Sequence, residues 1–167
     1  GCGREAARAA WSLNPALREA TAHLQRKVKQ SIVCAHVRTG RGETSTYLSF
    51  LDHAVAALVR HLRTRNDAPA VYLASDMPLG DIRKLRSQSK AVDELLNMCD
   101  GGGERCAFVG NQGDARFGAD VVEWRRRARF ARRIDKASER VILDVATCVL
   151  ADAFVQSPAR TSSLAVM

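Results

Sequence analysis

The sequence predicts a doubly wound α/β domain with a parallel sheet, and three observations carry that expectation. Short apolar runs of four to six residues alternate with longer segments of helical periodicity. That alternation implies βαβ units joined by right-handed crossovers. The chain has 167 residues, 46% hydrophobic and 26% charged, which suits one soluble globular domain with its own core.

Asn14-Pro15 is a helix start, an N-cap followed by proline at the first helical position. Leu17, Ala20, Leu24 and Val28 repeat at helical spacing, so residues 1–29 read as a leading helical segment ending near Lys29. A strand over Ile32–Val37 follows. Thr44 to Arg63 is a helix with Leu48, Leu51, Val55, Leu58 and Leu62 on one face. Asn66-Asp67-Ala68-Pro69 is a turn, and Ala70 to Asp76 is the second strand.

A helix from Leu79 to Met98 carries Ile82, Leu85, Val92, Leu95 and Leu96 at less regular spacing. The loop Gly101-Gly102-Gly103 leads to a third strand, Cys106–Gly110. Residues 111–118 read as a loop, and Val121 to Arg133 as a basic helical connection. Ser138 to Asp152 is apolar nearly all round and should be a buried helix. Ala153–Gln156 is a short strand, and a last helix opens at Thr161. Gly1 in place of Met, and a helix still running at Met167, read as a piece of a longer protein.

The formal net charge is +8, and much of the excess lies between Arg125 and Arg133. A nucleic acid, a membrane surface or a nucleotide phosphate would each answer that charge; a solvated helix face is the plainer reading. Nucleic acid ranks last, because only Trp124 and Phe130 accompany the arginines as stacking groups. The five cysteines form no metal-ligand spacing, which argues against zinc. Cys34 and Cys148 lie in apolar runs and read as buried thiols. Cys99 and Cys106 flank the glycine loop and either pair or stay free. No apolar stretch reaches the length of a membrane span, and no signal-peptide pattern is present.

Candidate chemistry gathers at predicted strand ends. His36 and Arg38 fall on one side of the first strand, since side chains alternate with period two. Ligands of open α/β sheets bind at the carboxyl ends of strands, and an arginine fork there suits a phosphate or carboxylate. Asp76 closes the second strand. Thr161-Ser162-Ser163 opens the final helix, where free N–H groups and hydroxyls form a phosphate seat. Asp144 is a carboxylate within an apolar segment and needs a partner; a guanine edge, with two adjacent N–H donors, would supply one. Each has a plainer reading: a core histidine at 36, a salt-bridge arginine at 38, an Asp144 paired with Arg140.

Taken in order, His36-Val37-Arg38-Thr39-Gly40, Val71 to Asp76, Val141 to Asp144 and Ala151 to Val155 with the following Ser/Thr cluster resemble GDP-fucose-dependent fucosyltransferases. The closest pattern is the α1,6-fucosyltransferase and NodZ-like group, related to protein O-fucosyltransferases, over residues 12–167. The resemblance implies the Rossmann-like, C-terminal donor-binding half of a GT-B glycosyltransferase. It implies that Arg38 holds the β-phosphate of GDP-fucose and is the catalytic residue. His36 would lie beside the nucleoside, Asp144 would read guanine, and Thr161, Ser162 and Ser163 would contact the phosphates. Asp76 matches an acidic residue after the second strand.

The resemblance further implies inverting fucose transfer to a glycan or protein hydroxyl, with no metal or other cofactor. Partners would be the nucleotide-sugar donor and a glycan or glycoprotein acceptor, in the Golgi or ER lumen, with any membrane anchor outside this chain. The chain departs from the family at Thr39 and Arg41, where many members carry a second Arg and then an acidic residue. A non-catalytic nucleotide- or partner-binding module is the alternative.

Overall fold

Strand β1 (Ile32–Val37) is buried along almost its whole length, and β2 (Ala70–Ser75) along all of it. Strands of this kind need cover on both faces, the condition met inside a parallel sheet. A computed structural model of the chain describes residues 28–37, 44–75, 77–100, 105–110, 144–145, 147–149 and 151–156. Among them β1, β2, β3 (Ala107–Gly110) and β4 (Ala153–Gln156) form one all-parallel sheet in the order β3-β2-β1-β4. The α/β class and the parallel sheet expected from the sequence are therefore present.

Period-two alternation divides the two central strands between two cores. Val33, Ala35 and Val37 of β1, with Val71 and Leu73 of β2, face the larger one. Helix α1 (Thr44–Arg63) covers it with Leu51, Val55, Leu58 and Leu62, spaced four, three and four apart on a single stripe. Helix α2 (Leu79–Lys84) adds Leu79 and Ile82, and α3 (Lys90–Cys99) adds Val92, Leu95 and Leu96. Ile32 and Cys34 of β1, with Ala70, Tyr72 and Ala74 of β2, face the smaller core, closed by Cys148 and Ala151.

The single helix expected from Leu79 to Met98 is two helices. α2 ends at Lys84, turns follow, and Ser89 caps α3 by accepting a hydrogen bond from the Val92 backbone N–H at 3.1 Å. The same Ser89 hydroxyl donates to Asp52 of α1 at 2.6 Å, so the cap also ties α3 to α1. A serine that satisfies an orphan helix N–H outcompetes continuation of the helix, which accounts for the uneven apolar spacing.

Other boundaries shift by a few residues. Val28 and Lys29 are already non-helical, and Val28 packs against the smaller core. Cys106 precedes β3 rather than opening it. Residues 144–145 and 147–149 are helical within the expected 138–152 segment, but Ala151 and Asp152 bend toward β4. Asp152 brackets Ile32 there: its N–H donates to the Ile32 carbonyl at 2.9 Å, and its carboxylate accepts from the Ile32 N–H at 2.8 Å. Residues 1–27, the loop at 111–118, the basic segment at 121–133 and the last helix from Thr161 lie outside the described residues.

The cysteine reading needs correction. Cys34 and Cys148 are not free thiols: they are joined in a disulfide with Cα atoms 5.0 Å apart, linking β1 to the helical residues before β4. Both were expected to be buried, and they are, at 0% and 4% exposure. Apolar context alone cannot distinguish a buried thiol from a buried cystine. Cys99 and Cys106 are joined as well, Cα atoms 4.6 Å apart, closing the glycine loop between α3 and β3. Both separations lie in the range a disulfide can span without backbone movement.

Candidate functional site

In the order β3-β2-β1-β4 the chain steps from β1 to β2 to β3 on one side, then returns to place β4 on the other side of β1. The strand order therefore reverses between β1 and β4. Crevices at the carboxyl end of such a reversal are where open α/β sheets bind ligands. His36 and Gln156 are register partners across β1 and β4, at the carboxyl ends of both strands. His36 and Val37, the last residues of β1, thus lie at the switch point itself.

His36 lies on the side of β1 that carries Ile32 and Cys34, facing the smaller core, and is half-buried. Asp144 is on that same side of the sheet. It is 8% exposed and accepts a hydrogen bond from the Tyr72 hydroxyl at 2.5 Å. The chain continues from Asp144 through Cys148 to β4, whose first residue pairs near the amino end of β1.

Of the residues expected to form a site, the structure thus brings His36 and Asp144 to one face of the sheet. Arg38, Asp76, Thr161, Ser162 and Ser163 lie outside the described residues. Ser75, just before Asp76, is buried, and its hydroxyl accepts a hydrogen bond from the Met77 N–H at 3.1 Å. That bond forms a local turn at the carboxyl end of β2. Comparison with protein-family models, curated proteins and solved structures gives no significant match. The site's chemistry therefore has to be read from its own residues.

Tyr72 is the residue the sequence reading missed. It is 1% exposed, directly opposite Cys34 in the β1–β2 register. Burial pushes its phenol well above the usual tyrosine range. The charge of Asp144 and the hydrogen bond to it act in the same direction, while a side-chain hydrogen bond with Thr147 opposes them. Tyr72 is therefore a protonated donor at any ordinary pH. Its signal was available as a lone phenol inside an otherwise aliphatic strand, since a buried tyrosine hydroxyl usually finds a partner. Which partner it would find could not be read from one sequence.

At the opposite, amino end of the sheet an ion pair joins Arg65 to Asp67. Arg65 donates to both carboxylate oxygens of Asp67, at 2.7 and 2.6 Å, and to the Ser31 hydroxyl at 3.0 Å. Ser31 in turn donates to Asp67. Two hydrogen bonds, from Arg65 first and then from Ser31, hold the Asp67 carboxyl well below the ordinary carboxylate range. These groups satisfy one another, and the arrangement is a fastener for the turn before β2. Among the described residues no group of His, Cys, Asp or Glu is arranged to hold a metal ion.

Charge elsewhere is similarly balanced. Arg83 pairs with Asp100, Lys84 with Asp81, Arg86 with Asp93 and Arg63 with Glu94. The nine lysines and arginines and eight acids among the described residues nearly cancel. The surplus behind the overall +8 belongs to the rest of the sequence.

Proposed function

We propose that the chain is the donor-binding α/β domain of a GT-B-type glycosyltransferase, taking GDP-fucose at the carboxyl end of β1 and transferring fucose to a glycan or protein hydroxyl with inversion. The observation that carries this reading is the topological switch point between β1 and β4, where β1 ends at Val37, one residue before Arg38 in the sequence. The placement of Asp144 on the same face as His36 supports it, because one crevice could then serve both nucleoside and diphosphate. The two disulfides favour an oxidising compartment, in keeping with the secretory pathway.

In this reading Arg38 stabilises the negative charge that grows on the departing diphosphate as the sugar gains oxocarbenium character. A preorganised donor in that role is worth about 3 kcal/mol of barrier. The hydroxyls and N–H groups of Thr161, Ser162 and Ser163 would share the same charge. His36 would flank the nucleoside, Asp144 would accept from the guanine edge, and Asp76 would lie at the neighbouring strand end. Arginine and helix terminus together supply positive charge without a divalent ion.

Titration calorimetry with GDP tests the reading. The chain should bind GDP, and Arg38→Ala should abolish binding while far-ultraviolet circular dichroism is unchanged. Equal GDP affinity in that variant would contradict it. A second reading, a nucleotide-binding module without transfer, draws on Thr39 and Arg41, which replace a phosphate contact and reverse a charge next to the motif. GDP binding without sugar transfer by the intact protein would favour it.

A further inference from the structure

The two disulfides stand in different settings. Cys34 lies on the inner strand β1 and is 0% exposed, and Cys148 is 4% exposed, so a reductant reaches that bond only when the fold opens. The other bond sits at the margin. Cys106 is 4% exposed, but Cys99 is the last residue of α3 and only partly buried against the larger core. The spans differ as well, a sequence separation of 7 against 114. A short closure restricts the unfolded chain less, so opening it costs the global fold less.

The short bond bears on one strand. β3 follows Cys106 directly, and among the described residues β2 is its one sheet neighbour. That pairing is irregular: Val71 lies opposite Phe108, but Tyr72 lies opposite Gly110. Arg83 also joins the two ends of the connection, pairing with Asp100 and lying 6.0 Å from the Phe108 ring centroid. Its side chain is about half exposed, and an ion pair in that setting contributes little. Between the cysteines the sequence carries Gly101, Gly102 and Gly103, which give an unlinked connection the widest conformational freedom.

We propose that Cys99–Cys106 is a thiol–disulfide exchange site that latches β3 to the sheet, opened by a dithiol partner while the rest of the fold and the Cys34–Cys148 bond stay intact. A thiolate of the partner attacks the Cys99 sulfur, the S–S bond breaks, and Cys106 leaves as a thiolate that takes up a proton. The partner's second thiol then attacks the partner-side sulfur of the mixed disulfide. Cys99 is released as a thiol, and the partner is left oxidised to its own disulfide. Reversal by a disulfide partner closes the latch. With the latch open, β3 gives up its pairing on β2 by local opening.

The test treats the folded chain, its free thiols blocked beforehand, with dithiothreitol. Freed cysteines are alkylated and mapped by mass spectrometry, beside amide hydrogen exchange. Cys99 and Cys106 should be labelled at least about tenfold faster than Cys34 and Cys148. Exchange at residues 106–110 should then rise while β1 and α1 keep their protection. Cys99→Ser combined with Cys106→Ser should show the same raised exchange without reductant, and dithiothreitol should add nothing at β3. Labelling of both pairs together, or of Cys34 and Cys148 first, overturns the proposal. So does selective labelling with no change of exchange at β3, which would make the bond a plain structural staple. If the double variant does not fold, the reductant arm decides, because there the bond opens in a chain already folded.

Discussion

The two faces of the sheet are held by different physics. The face under α1, α2 and α3 is secured by area: long aliphatic side chains from three helices interdigitate with β1 and β2. Among the described residues, the other face carries the small groups Ala70, Ala74 and Cys34 on the strands beside Ile32 and Tyr72. It is secured instead by specific links, the Cys34–Cys148 disulfide, the Tyr72–Asp144 hydrogen bond and the Asp152 bracket on Ile32. Area tolerates small displacements, whereas a bond at a given atom does not. A face organised by bonds is the better support for a polar ligand site, and His36 and Asp144 both belong to it.

The sharpest test of this contrast is a large cavity on the area-held face. Leu58 is fully buried beneath α1, and Leu58→Ala should cost about 2–5 kcal/mol in urea unfolding, through lost transfer energy and the void left behind. Next is the linked face. Replacing both Cys34 and Cys148 with alanine should cost about 2–4 kcal/mol, because the bond closes a loop of sequence separation 114 and restricts the unfolded chain. A loss much below that would mean area, not the bond, holds this face too.

A smaller effect is expected at the polar pair. Tyr72→Phe leaves the buried Asp144 carboxylate short of a donor and should cost about 1–3 kcal/mol in the same unfolding experiment. The smallest effects belong to the exposed fasteners. Asp67 has its carboxyl pKa depressed by Arg65 and Ser31, so the folded chain keeps it ionised where the unfolded chain takes up a proton. Its contribution is full above the ordinary carboxylate range and is lost as pH falls through the lower folded value. Arg65→Ala should therefore flatten the acid side of the stability–pH curve, followed by thermal unfolding from neutral pH down to about pH 2. An unchanged slope would mean that the amino-edge cluster is decorative.

How much of this could be read from the chain differs by element. The strands and α1 were legible because their signals are local: a short apolar run for β1, and a stripe at 51, 55, 58 and 62 for α1. The break between α2 and α3 was not, because it depends on Ser89 finding both Val92 and Asp52, and Asp52 is distant in sequence. The placement of His36 at a sheet edge was legible, but its location at a reversal of strand order was not. That reversal exists only once β4 returns beside β1. Asp144 was rightly read as a buried carboxylate in need of a partner. One partner is Tyr72, a pairing 72 residues apart that local pattern cannot specify.

Hydrogen–deuterium exchange of the chain with and without saturating GDP tests the central claim most directly. The account predicts new protection confined to the backbone following β1 and β4, at residues 37–41 and 156–158, and at the helical residues around Asp144. It predicts no change at the amino edge around Ser31, Arg65 and Asp67. Protection at the amino edge, or none at the ends of β1 and β4 under conditions where GDP is bound, would contradict it.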